Sequence, residues 1–222
     1  MVSPSSPASR RKPATKPASG PGRPKDLGKR AAILEAAKLL FAREGFNGVS
    51  MDQIAAEAGV SKLTVYSHFG DKDALFAAAV QAKCEEMLPD TLFQIELKGS
   101  LREQLKAIAH AFFALISSDE AISTHRMMMV PGNIDDRLKQ TFWEAGPQRT
   151  HDAFAALLQA QVAQGELDIP DVAVASVQFF TLVKGEAHMR MTCGLCGQLG
   201  RSDVNRHIDA TVDMFLRAYG RR

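Results

Sequence analysis

From Leu27 onward, apolar residues recur three and four positions apart, the spacing that lines one face of an α-helix. Ile33, Ala36, Ala37, Leu40 and Phe41 form such a stripe and predict a first helix over about residues 27–44, ended by Gly45. Met51, Ile54, Ala55 and Ala58 predict a second, short helix that Ser50 can N-cap. Gly59 then tolerates positive φ, and Ser61 can cap a third helix in which Val65 and Phe69 face inward. Asp71 or Asp73 can open a fourth helix, carrying Leu75, Phe76, Ala79 and Val80 to about Met87, and Pro89 stops it. Beyond Leu92 the pattern predicts longer helices at roughly 100–118, 120–130, 134–145, 148–164, 170–190 and 203–219. Their breaks are Gly99, Pro131-Gly132, Gly146-Pro147, Gly165, Pro170 and the loop from Cys193 to Gly200. There is no sustained strand alternation, internal repeat or long heptad run, so the predicted class is all-α.

The second and third helices, joined by a short glycine-containing turn, make a helix-turn-helix arrangement. The outward side of the third presents Lys62, Leu63 and Tyr66, flanked by Thr64 and His68. A cation, a leucine, a phenol and a hydroxyl on one short face suit a DNA major groove, where lysine reads guanine acceptors and hydroxyls reach phosphates. The run T-V-Y-S-H-F-G-D-K-D-A-L-F, behind I-A-x-E-A-G-V-S, resembles the DNA-binding domain of the TetR family of one-component bacterial transcriptional regulators, over about residues 27–80. The run F-F-T-L-V-K-G-E from Phe179 is similar to the C-terminal region of its AefR-like branch.

The resemblance implies an N-terminal three-helix DNA-binding domain followed by a larger helical ligand-binding and dimerisation domain. It also implies that Thr64, Tyr66, His68 and Lys72 touch phosphates. Lys62, in the first turn of the recognition helix, is placed to read bases, and Leu63 to meet a thymine methyl. Ser50 would present a helix N-terminus to another phosphate, and Ser61 completes the DNA-facing set.

Charge sharpens this picture. The chain of 222 residues has a formal net charge of only +2, yet residues 1–30 hold eight cations against the single Asp26. That segment is therefore +7 and the remainder −5, a basic arm on an acidic body that points to a polyanion met at one end. Residues 1–24, rich in Ser, Pro, Ala, Lys and Arg, lack the apolar side chains to offset the entropy of ordering and read as a disordered arm. Arg23 and Lys25, beside the first helix, suit a minor-groove or phosphate contact. The expected domains are the arm at 1–24, the DNA-binding unit at 25–72 and the ligand-binding and dimerisation domain at 73–222. With 45% apolar residues the chain can fill a core, but no run approaches the ~18 of a membrane span. The first thirty residues lack the apolar stretch of a signal peptide, so a cytoplasmic protein is expected, without a membrane partner.

The middle helices concentrate soft and aromatic groups, and with the family resemblance they suggest an effector pocket. Candidate ligand contacts are Phe112, Phe113, His125, Met128, Phe142, Trp143, Phe154, Phe180 and Met189. His125 and the neighbouring Arg126 serve equally well as surface or capping groups. The helix near 170–190 is apolar nearly all round and the last has one apolar face, which suggests a two-fold interface through Val177, Phe180, Ile208, Val212, Phe215 and Tyr219. Cys193 and Cys196 could form a regulatory disulfide, but with His188 and His207 they match no zinc spacing, and Cys84 reads as core. No nucleophile constellation, phosphate-binding loop or carboxylate pair assembles, so neither an enzyme nor a cofactor is expected. The function implied is a repressor that a small apolar or amphipathic effector releases from double-stranded operator DNA. A redox-responsive regulator switched through Cys193 and Cys196 is the alternative, and a helical binding protein without DNA function the rival from another class.

Overall fold

The computed structural model describes residues 26–94, 99–132 and 134–221. Arg23, Lys25 and the expected disordered arm lie outside these described residues. Within them run α1 (Leu27–Gly48), α2 (Met51–Glu57), α3 (Lys62–Phe69), α4 (Lys72–Met87) and α5 (Leu101–Ile116). They are followed by α6 (Asp119–Met129), α7 (Asp136–Ala145), α8 (Pro147–Ala163), α9 (Val172–Thr192) and α10 (Arg201–Tyr219). A single 3-10 turn, Asp90–Phe93, follows α4, and the described residues contain no strand beyond an isolated bridge between Leu167 and Gly220. The class is all-α, and no described helix is long and apolar enough to cross a membrane.

Local chemistry sets most helix starts. Asp26, Ser50, Ser61, Asp71, Ser100, Ser118, Asp135 and Asp171 each accept a backbone N–H of the helix they precede. Each such cap stabilises by about 1 kcal/mol, which fixes the boundaries more firmly than helix propensity does. Two helices carry an internal break. Gly45 (φ 72°) bends α1 before its last turn, and Gly185 (φ 53°) interrupts α9.

Two hydrophobic clusters divide the interior. The first is built on α1 to α4, where Ile33, Ile54, Val65 and Leu75 are fully buried, and it is closed by Ile134 and by Leu138 of α7. Phe76 meets Phe41 and Phe46 edge-on, with ring centroids 5.3 and 5.4 Å away, locking the end of α1 to α4. The second joins α5, α8, α9 and α10 around Phe154, Phe179, Phe180 and Phe215. Burying one such ring is worth roughly 1.5–3 kcal/mol before edge-to-face contacts are added.

This second cluster corrects the expected interface. Phe180, Ile208, Val212 and Phe215 are at most 2% exposed and form this chain's own core. The apolar stripe of α10 faces inward because α5 and α9 supply the apolar surface it needs, and the ion pairs Arg102–Asp213 and Lys106–Asp209 fasten α10 to α5. Of the six residues only Val177 is exposed, while Tyr219 is half-buried and donates its hydroxyl hydrogen to Gln178.

Candidate nucleic-acid interface and effector cavity

The turn between α2 and α3 uses Gly59 at φ 64°, and Val65 of α3 is fully buried, so α3 is held against α1 and α4 with its other side in solvent. On that side Leu63 is 79% and Tyr66 41% exposed, large apolar surface that water alone does not favour. Lys62 Nζ lies 2.9 Å from Asp52 Oδ2 on α2, and this partner holds its pKa above the usual lysine value. Ser61 Oγ accepts from Thr64 N at 3.2 Å and lies 2.8 Å from Thr64 Oγ1, so both hydroxyls bind locally. Ser50 is bound into a capping box with Gln53 at the start of α2.

Lys72 and His68 are placed differently from the rest of the expected DNA-facing set. Lys72 Nζ donates to Val49 O at 2.8 Å and sits 4.2 Å from the Phe46 ring centroid, and burial lowers its pKa. Its ammonium ties the start of α4 to the end of α1. His68 is half-buried, with Nδ1 enclosed and without a hydrogen-bond partner among the described residues.

Between the two clusters lies a cavity of about 410 Å³, walled by parts of α1, α4, α5, α6, α7, α8 and α9. This is within the ~300–1,000 Å³ typical of small-molecule sites. Of the expected ligand contacts, Phe112, His125 and Phe142 line it. Phe113, Phe154 and Phe180 instead fill the second cluster, and Met128 packs on the first. Trp143 and Met189 are on the surface, 47% and 68% exposed, because each falls on the outer side of its helix. Arg126, one residue along from His125, caps α9, donating to Met191 O and Thr192 O at 2.7 Å.

Polar groups of this cavity escaped the sequence reading. Lys184 and His151 line it, and the His188 ring lies 5.2 Å from that of His125. Burial, then the nearby His188 and Lys184, push the His125 pKa down to about 4. Burial lowers the Lys184 pKa too. The available signal was a lysine that closes the uncharged run from Val172 to Val183 of one helix, next to a glycine. Cys193 is exposed and Cys196 half-buried, both as free thiols, and no metal-holding group of three or more His, Cys, Asp or Glu occurs among the described residues.

Comparison with known proteins agrees with this layout. The family model described as bacterial regulatory proteins, tetR family, matches residues 33–79. The one described as AefR-like transcriptional repressor, C-terminal domain, matches residues 103–221. A solved TetR-family transcriptional regulator from Mesorhizobium loti is 26% identical with a TM-score of 0.73, over 87% of this chain and 97% of that one. The solved flavonoid-responsive regulator FrrA is 32% identical with a TM-score of 0.68, over 87% of this chain and 98% of that one. The HTH-type transcriptional activator FasR of Mycolicibacterium smegmatis is 33% identical over 91 residues, 41% of this chain and 42% of the activator. That match therefore spans less than half of the activator's length.

Proposed function

The chain belongs to the TetR family of bacterial regulatory proteins, and from that premise we propose that this DNA-binding transcriptional regulator is a homodimeric repressor released from its operator by a small amphipathic effector. The observation that carries the reading is where the cavity lies. Its wall includes Phe41 of α1 and Phe76 and Ala79 of α4, which also belong to the cluster holding α3. A molecule seated there touches the supports of the recognition helix directly. Release then needs only that it bind better to the arrangement the operator disfavours, and effector and operator each weaken the other's binding by the same coupling energy.

Helix α6 supports the same reading. Ser123 Oγ donates to Ala42 O at 3.0 Å, Met127 Sδ accepts from Phe46 N at 3.1 Å, and His125 lines the cavity between them. One rigid helix thus touches the cavity, the bent end of α1 and, through Arg126, the end of α9. In this reading Lys62 and Leu63 face the bases while Ser50, Ser61, Thr64 and Tyr66 meet phosphates, with the 25–72 unit reading DNA on a core completed by α4 and α7. The dimer surface is the outward stripe of α9 and α10, where Val174, Val177 and Met214 are 48%, 53% and 50% exposed. A relative named for its response to flavonoids fits an effector role for the cavity.

Selection of bound duplexes from a random DNA pool, at fixed salt, tests the reading. The expected outcome is a two-fold symmetric site whose half-sites lie about one helical turn, or a multiple of it, apart. Enrichment of asymmetric single sites would refute the homodimer, and binding set by salt alone, without enrichment, would refute operator recognition.

A further inference from the structure

The carboxylates around the cavity already have cationic partners. Lys38 lies 2.7 Å from Glu35 and 2.9 Å from Glu86, and Lys83 lies 3.8 Å from Glu120. The end of the cavity nearest α9 is different. Lys184 makes no hydrogen bond or ion pair among the described residues, although it is half-buried. Around it stand three imidazoles, those of His125 and His188, 5.2 Å apart, and that of His151 on α8. His125 Nδ1 and His188 Nε2 are both enclosed without a hydrogen-bond partner. Cys84, the remaining ionisable group of α4 in the wall, is held protonated by burial, with its pKa pushed up to about 11.

Stripping part of the water from an unpartnered ammonium is costly, and each orphaned buried imidazole nitrogen adds to that cost. The backbone nevertheless fixes Lys184 there. Val183, just before it, is fully buried and accepts a hydrogen bond from His207 Nε2 at 2.9 Å, and the helix breaks at Gly185, just after it. The remaining wall is mostly apolar, through Phe41, Phe76, Phe112, Leu115, Ile116 and Phe142.

We propose that the effector is an amphipathic organic acid, whose single anionic oxygen head is bound by Lys184 among His125, His151 and His188 while its apolar body fills the space towards α1 and α4. The proposal rests on the cavity being the effector site. An anion supplies the charge that the Lys184 end lacks and gives the orphaned ring nitrogens an acceptor for their protons. It also opposes the burial and the Lys184 charge that lower the pKa of these imidazoles, a lowering that Asp152 already offsets in part at His151, so binding draws protons from solution. An apolar ligand with no charge would leave Lys184 stranded.

The test uses the full-length protein with decanoate and 2-naphthoate, each paired with the alcohol of the same skeleton, 1-decanol and 2-naphthalenemethanol. Affinity is measured by calorimetry in two buffers of different ionisation heat, and operator binding by fluorescence anisotropy. The acids are expected to bind at least about tenfold more tightly than the alcohols, the value of a charge-assisted contact of roughly 1.5–3 kcal/mol. Lys184→Met, which removes the charge and keeps the stem, should lower acid affinity to the level of the alcohols, and the acids should bind with net proton uptake. Equal binding of acids and alcohols, or acid binding untouched by Lys184→Met, overturns the anionic head, as does binding of no probe at millimolar concentration. The comparison of acids with alcohols on the unaltered protein decides the question even if Lys184→Met fails to fold. The two readings fail separately. Alcohols that release the operator without a preference for acids leave the switch standing and remove the head-group assignment. Acids that bind through Lys184 without changing operator affinity keep the site and remove the switch.

Discussion

Acid should destabilise this protein before its carboxylates begin to titrate, and His125 should be a principal cause. Its pKa is about 4 in the folded chain against an ordinary 6.5. A folded-state value below the unfolded one means that the unfolded chain takes up the proton first. Nothing is lost above pH 6.5, and stability then falls steadily as pH drops towards 4. Integrating between the two values gives about 2 kcal/mol lost at pH 5 relative to pH 8, or about 4–8 °C in Tm for a chain of this size. His110, His151 and His188 are also lowered by burial and add losses of the same sign. Glu86, Glu103, Asp136 and Asp213, lowered from carboxylate values, lose their contribution only at more acid pH. His125→Phe isolates the residue, because it keeps the edge-on contact with Phe142 and forfeits no hydrogen bond of Nδ1. Urea unfolding of both proteins at pH 8 and pH 5, at one protomer concentration, should show the unaltered protein losing about 2 kcal/mol more than the variant. Equal losses in the two proteins would mean that His125 is solvated and that the cavity around it is wet.

Lys62→Ala should cost about 1–3 kcal/mol of operator binding and relax preference at one position in each half-site, measured against an operator series. Lys72→Met should instead lower folding stability by about 1 kcal/mol, through lost contacts to Val49 O and the Phe46 ring, and barely change the salt slope. Gly185→Ala should destabilise by more than about 1 kcal/mol in thermal melts, since φ is +53° and the added Cβ would lie 2.9 Å from His207 Cε1. By light scattering, Met214→Glu should yield folded monomers, whereas Phe215→Glu should unfold the chain by placing a charge in its core. A folded Phe215→Glu monomer would return that side of α10 to the interface.

Features governed by neighbours in sequence were readable in the chain. Ser50, Ser61 and Asp71 cap the helices that follow them, and Gly45 and Gly59 take the positive φ expected at a break and a turn. Periodicity also identified Ile208, Val212 and Phe215 as one stripe, but a stripe does not say which partner covers it. The apolar faces of α5 and α9 cover it, and the outward residues Val177 and Met214 belong to a weaker pattern. The DNA-facing set was legible as far as residue type and cap position determine it. That Lys72 bends back to Val49 O depends on a contact 23 residues away, which no local rule encodes. Lys184 was missed because a lysine at the end of an uncharged helical run commonly reaches water along its flexible stem. Only the packing of α6 and α8 around it leaves the ammonium half-buried.

Phe41, Phe76 and Ala79 stand at once in the cavity wall and in the interior of the unit that carries α3. A population of variants selected for a new inducer would therefore have to change residues that also set how firmly the reading head is mounted. Retuning at those positions would surface as regulators stuck on or stuck off the operator before it surfaced as altered inducer choice. Drift in effector specificity should concentrate at the α9 end, around Lys184 and His151, where a wall residue can change without disturbing the mount. The reachable inducers are thus limited less by the size of the cavity than by which of its walls the protein is free to rebuild.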